Sequence, residues 1–159
     1  MPPSELTGGC QCGAVRFRAG RLGRATICHC RMCQKAFGSF FGPLVTSHDV
    51  EWTRGQPAYF ESSNKARRGF CSACGTPLSY DTYEADGSVE LAIGAFDDPT
   101  VATPLLQVNP KDKLPFFDTL TALPMRTKYS PEWLAFMAEV RSRQHPDHDT
   151  ESWPPEAWE

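Results

Sequence analysis

Apolar and polar positions alternate at period two, in short runs, through most of the first 117 residues, which is the pattern of half-buried β-strands. Val15 and Phe17 alternate with Arg16 and Arg18, directly after a Cys-x-Cys turn. Further strands are predicted at 40–45, 50–53, 58–61, 78–81, 89–93 and 105–108. Turn residues separate these runs, so sheets rather than a helical fold are expected. Asp86-Gly87 is the best hairpin signal, because Asp-Gly supplies the positive φ of a tight reversal. One segment near the end changes period. Ser130 can cap a helix, Pro131 suits its first turn, and Trp133, Met137 and Val140 recur at i, i+4 and i+7 with Leu134 beside them. That stripe predicts a helix docked on the core.

Composition narrows the class only modestly. The 159 residues, 40% of them hydrophobic, suit one domain with a real core. A formal charge of -3 leaves no basic footprint for DNA or RNA, so nucleic acid is not expected as a partner. No apolar run approaches the roughly 20 residues of a membrane span. Residues 1–20 lack the charged start, apolar middle and cleavage site of a signal peptide. A cytoplasmic location without membrane attachment is expected, where thiols stay reduced. The tail at 144–159 is acidic, proline-bearing and weakly patterned, and reads as a peripheral extension. Its His145 and His148 are not favoured as ligands, and Trp153 and Trp158 either fold back on the domain or meet a second copy in a homo-oligomer.

The cysteines change the picture. Seven occur, as Cys10-x-Cys12, Cys28-x-Cys30-x-x-Cys33 and Cys71-x-x-Cys74. An odd number would strand one thiol in a disulfide framework, and cysteines one residue apart rarely bridge each other, yet both can face one metal ion. Four plus three is the natural division: a zinc that holds structure takes four protein ligands, whereas a zinc that does chemistry keeps three and leaves a position open. A thioredoxin-like reading of Cys71-Ser-Ala-Cys74 would need a helix to open there, but Gly75-Thr76-Pro77 follows and favours a tight knuckle.

Three stretches taken together resemble a known family. Gly8-Gly9-Cys10-Gln11-Cys12-Gly13-Ala14-Val15-Arg16-Phe17, Cys28-His29-Cys30-Arg31-Met32-Cys33-Gln34-Lys35 and Phe70-Cys71-Ser72-Ala73-Cys74-Gly75-Thr76-Pro77-Leu78 are similar in order and spacing to the glutathione-dependent formaldehyde-activating enzyme and centromere protein V family. The resemblance implies a mainly β fold of several coiled, mostly antiparallel sheets with zinc-binding knuckles, the β-tent type, to which the periodicity at 130–140 adds one C-terminal helix. It covers a zinc domain at 6–117, leaving an extension with the helix at 118–143 and the tail at 144–159. It also implies two zinc ions per chain. A structural zinc is held by Cys10, Cys12, Cys71 and Cys74, and a catalytic one by Cys28, Cys30 and Cys33. The division makes physical sense, since two distant pairs close a loop of roughly sixty residues while the local trio cross-links almost nothing.

What the family implies chemically is carbon-sulfur lyase activity: a small thiol such as glutathione adds to a small aldehyde such as formaldehyde, or is released from the adduct. An open zinc would lower the thiol pKa so that the thiolate forms at neutral pH. Three thiolates on one divalent zinc leave net negative charge, and Arg31, Lys35, Arg67 and Arg68 are the cations placed to balance it or to meet glutathione carboxylates. His29 lies between two ligand cysteines, where it is expected beside the metal or toward solvent rather than as a ligand. Phe37, Phe40 and Phe41 read as core that can also wall a pocket. The family's late histidine and tryptophan are absent from Leu106-Gln107-Val108-Asn109-Pro110-Lys111-Asp112-Lys113-Leu114-Pro115-Phe116. The alternative from another class is a non-catalytic zinc module that binds a partner protein; a fourth ligand completing the trio would favour it.

Overall fold

A computed structural model describes residues 6–83 and 86–158. The strands are β1 (Thr7–Gly9), β2 (Arg16–Arg18), β3 (Arg21–Cys28), β4 (Gly42–His48), β5 (Glu51–Arg54), β6 (Ala58–Ser63), β7 (Ala66–Phe70), β8 (Pro77–Thr82), β9 (Val89–Ala92) and β10 (Leu106–Val108). Two α-helices join them, α1 (Arg31–Phe37) and α2 (Pro131–Glu139), with several short 3-10 turns. The fold is mainly β. A three-stranded sheet runs β1-β2-β5 and a seven-stranded sheet runs β10-β3-β4-β9-β8-β7-β6. All pairings are antiparallel except that of β10 with β3.

One buried cluster joins Phe17 of the three-stranded sheet, Val45, Leu78 and Leu91 of the seven-stranded sheet, and Ile93 and Phe96 just past β9. Phe17 is fully buried and meets Trp52 and Phe96 edge-on, with ring centroids 5.9 and 5.1 Å away. Such pairs each add about 0.5–1.5 kcal/mol beyond the area they bury. The alternation at β2 is only half kept, because Arg16 is as buried as its neighbours at 2% exposure. Its guanidinium makes a two-pronged bond to Asp97, at 2.8 and 2.6 Å, and Nε donates to Asp149 at 2.8 Å. A buried charge is tolerated only when so paired, and removing one partner of such a pair costs about 3–5 kcal/mol.

Several expectations move. The strand predicted at 40–45 shifts to Gly42–His48, the one at 89–93 ends at Ala92, and Leu105 precedes β10. The Asp86-Gly87 turn does join β8 to β9, although residues 84 and 85 lie outside the described residues. The C-terminal helix forms, with Ser130 accepting a bond from the Trp133 N–H. Its stripe does not dock on the core: Trp133, Leu134, Phe136, Met137 and Val140 are all exposed. The tail is mostly exposed, yet it is tied to the domain. His145 is buried, its N–H bonds the Gln11 carbonyl at 2.8 Å, and Trp153 Nε1 donates to the Cys12 carbonyl at 2.7 Å.

Candidate metal centres and the adjoining cavity

Two β-hairpin-like turns build the first cysteine group. After β1, Cys10 and Cys12 lie on a turn closed by Gly13 N–H to Cys10 O at 3.0 Å and Val15 N–H to Cys10 Sγ at 3.3 Å. Between β7 and β8, Cys71 and Cys74 lie on a second turn, closed by Gly75 N–H to Cys71 O at 2.8 Å. Gly13 at φ 79° and Gly75 at φ 80° take the left-handed backbone that lets each chain reverse under its sulfurs. No helix opens at Cys71, so the knuckle reading prevails over the thioredoxin-like one. Gln11 N–H donating to Thr76 Oγ1 at 2.9 Å ties the turns together.

The four sulfurs of Cys10, Cys12, Cys71 and Cys74 lie within 4.8 Å of one another. Cys10 to Cys12 is 3.6 Å and Cys12 to Cys71 is 3.9 Å, and all seven cysteines of the chain are free. Four thiolates at the zinc bond length of about 2.3 Å sit about 3.8 Å apart, so the set suits a tetrahedral zinc and not a disulfide, whose sulfurs would approach to about 2.05 Å. Electrostatics agree. Burial and the neighbouring sulfurs push Cys12 up to about 12. Cys74 comes down to about 6 despite its burial, because the Thr76 hydroxyl and N–H groups face its sulfur. Such crowded thiols become thiolates together only around a cation.

The second group sits where β3 passes into α1. Cys28 ends β3, opposite Gly42 of β4 and Val108 of β10. Cys30 caps α1 by accepting from the Cys33 N–H at 3.4 Å. Gly42 allows this approach, since a Cβ there would come within 2.8 Å of the Cys33 Cβ. The three sulfurs again lie within 4.8 Å of one another, and among the described residues no fourth His, Cys, Asp or Glu completes the group. Three sulfurs and an open side suit the open type of zinc site.

Two donors from distant strands reach these sulfurs. Arg68 of β7, buried at 8% exposure, lies 3.4 Å from Cys33 Sγ through Nη2, stacks over the Tyr80 ring and donates to Ser62. Asn109, just past β10, donates from Nδ2 to Cys28 Sγ at 3.1 Å. Burial and the adjoining sulfurs push Cys33 up to about 12 against the pull of Arg68. Cys28 moves the other way: burial raises it, but the Asn109 amide and nearby N–H and S–H groups bring it below its ordinary value. Arg68 was among the cations picked from the sequence, whereas Arg67 instead turns to Asp81 at 3.2 Å. Asn109 was missed as a contact; its signal was an Asn at a turn, a residue that tolerates the left-handed backbone it adopts at φ 54°.

His29 is fully buried rather than facing solvent. Its Nε2 lies 2.8 Å from Gln107 Oε1, which fixes that nitrogen as the donor, and its ring meets Phe117 edge-on at 4.6 Å. Gln34, also buried, donates to the His29 carbonyl at 2.8 Å and the Asp112 carbonyl at 2.9 Å. These bonds fasten β10 and the following loop beside the trio. Phe37 packs against both buried clusters as expected, whereas Phe41 joins Phe117 and the exposed Phe40 meets Phe116. His48 and His148 stand apart from both sulfur groups.

A cavity of about 580 Å³ opens onto Cys28, Cys30 and Cys33. Leu44, Tyr80 and Val108 line its apolar side, Arg24, Arg31, Arg68 and Lys111 supply positive charge, and Glu90 and Asp112 negative charge. Its size suits a small-molecule ligand.

These features define a mainly β protein with a closed four-sulfur group and an open three-sulfur group, each arranged so that it could hold a metal ion. The model of the family described as glutathione-dependent formaldehyde-activating enzyme matches residues 5–112, and the chain belongs to that family. Among solved structures, a structural-genomics crystal structure of a Rhodobacter sphaeroides protein is similar at a TM-score of 0.53 and 19% identity, over 65% of this chain and 100% of that one. That likeness concerns the fold.

Proposed function

We propose that the chain is a zinc-dependent carbon-sulfur lyase that joins a small thiol, glutathione-like, to a small aldehyde or releases it, with one zinc at Cys10, Cys12, Cys71 and Cys74 and another at Cys28, Cys30 and Cys33. The observation that carries this reading is the three-sulfur group facing a cavity of about 580 Å³. When bound there, zinc supplies Lewis acidity that makes a thiol acidic enough to ionise at neutral pH. The addition needs no oxidant: the sulfur forms a bond to the carbonyl carbon, the carbonyl π bond breaks, and the thiol proton ends on the new hydroxyl oxygen. The reverse reaction breaks that carbon-sulfur bond.

The chain's own residues would tune the site. Arg68 and Asn109, aimed at Cys33 and Cys28, draw negative charge off two of the three sulfurs. Arg24, Arg31 and Lys111 offer partners for carboxylates of a peptide-like thiol, and Leu44 and Val108 keep one wall free of water. The cytoplasm, with its reduced small thiols, is the compartment in which this chemistry fits.

Exchange NMR at equilibrium tests the reading by measuring interconversion of glutathione and formaldehyde with their adduct, for wild type and Cys33→Ser. The uncatalysed reaction is itself facile, so the protein-free rate is the reference. Faster exchange with wild type alone, with glutathione or another small thiol, is expected. No acceleration with any thiol while the second zinc is bound would transfer the three-sulfur group to the partner-binding reading.

A further inference from the structure

Helix α2 carries apolar side chains that its own chain does not cover. Phe136 is 65% exposed, and Leu134, Met137 and Trp133 are exposed with it. The segment is nonetheless held at both ends, by Phe117 against His29 and Phe41 and by the buried His145. Its sequence, from Pro131 to Glu139, contains two glutamates and no base. Glu132, Phe136 and Glu139 stand at i, i+4 and i+7, which places them on one face with an acid about one turn to either side of the phenyl ring.

The body of the protein offers the complementary surface. Between α1 and the edge strand β6 lies an apolar groove of about 390 Å³, with Met32, Ala36 and Phe60 along it and no residue of α2 among its lining. Phe60 is 65% exposed. The groove's charged residues are Arg31, Lys35 and Arg68, with no acid. Arg31 and Lys35 are one helical turn apart, and neither has an acidic partner among the described residues. An acidic, aromatic helix face and a basic, apolar groove thus coexist on one chain without meeting.

We propose that α2 of one copy seats in the α1–β6 groove of a second copy, with the contact made reciprocally in a two-fold dimer. Phe136 enters the apolar groove beside Phe60, and Glu132 and Glu139 face Arg31 and Lys35. Reciprocity matters energetically, because each short contact counts twice toward the roughly 1,200 Å² that a stable interface buries. Arg31, Met32 and Arg68 line both this groove and the cavity over the three cysteines, so the partner's helix would border that cavity.

Sedimentation velocity on the zinc-loaded chain at micromolar concentration tests the proposal. Wild type should sediment as two chains, and Phe136→Asp and Phe60→Asp should each sediment as one. Both substitutions lie at exposed positions, and circular dichroism checks their folding; Glu132→Lys with Glu139→Lys, which keeps the apolar face, replaces an aspartate variant that misfolds. A monomeric wild type, or a dimer untouched by either substitution, would overturn the assignment.

Discussion

Asn109 shows how much the open cysteine group depends on single residues outside it. It holds a left-handed backbone and gives its amide N–H to Cys28. The two roles can be separated by substitution. Asn109→Ala loses the bond and also strains the backbone, for which a side chain at positive φ costs about 1–2 kcal/mol. Asn109→Gly keeps the backbone and loses only the bond. Thermal melts should therefore show the alanine variant destabilised by about 1–2 kcal/mol more than the glycine variant. Zinc competition should show both weakening the second metal alike. Equal stability of the two variants would refute the backbone role, and unchanged affinity in both would refute the bond's role. A reader of the sequence could place the cysteines because their spacing is local. Contacts such as Arg68 to Cys33 and Asn109 to Cys28 span 35 and 81 residues, and no periodicity marks them.

Among the elements, β7 reaches the open cysteine group through Arg68 and the C-terminal tail reaches the closed one through Trp153, and neither contact was evident from pattern. Strand β7, Ala-Arg-Arg-Gly-Phe, is short and charged and lacks the alternation that marks the predicted strands; in the sheet Arg68 is buried because Cys33, Ser62 and the Tyr80 ring surround it. The same strand leads into Cys71, and so links the two sulfur groups. The helix α2 was legible as a helix from its cap and period, but period cannot say what an apolar face packs against. The tail, read as peripheral, lies over Gly13, where a Cβ would overlap the His145 ring. Arg54 bonds Thr150, Arg16 bonds Asp149, and Trp153 bonds Cys12 across 141 residues.

This docking should depend on pH. Burial, with Arg16 and Arg54 nearby, holds the His145 imidazole below its ordinary value. Burial alone would raise Asp97, but Arg16 and the Thr7 hydroxyl hold its carboxyl low. Both groups bind protons more tightly in the unfolded chain, so the stability they contribute is complete at neutral pH. It falls first as pH drops from about 6.5 through the folded value of His145, and then from about 3.9 through that of Asp97. Hydrogen exchange of residues 144–158, corrected for intrinsic rates, should rise between about pH 7.5 and about pH 5.5 while zinc content stays constant. In His145→Gln that first rise should vanish. A profile unchanged by the substitution would contradict the assignment.

For the molecule as a whole, the account rests on a closed metal group that holds the fold and an open one that does not. The closed group joins turns about sixty residues apart, so a metal bound there would be part of the folding free energy, whereas the open trio spans one strand end and one helix turn. Cys74→Ser should therefore lower stability severely, and Cys33→Ser should fold with one zinc. The most direct measurement is native mass spectrometry during graded chelation, with circular dichroism on the same samples. The account predicts a folded two-zinc species, then a folded one-zinc species that matches untreated Cys33→Ser, and unfolding only when the last zinc leaves. Loss of both ions in a single step that coincides with unfolding would contradict it.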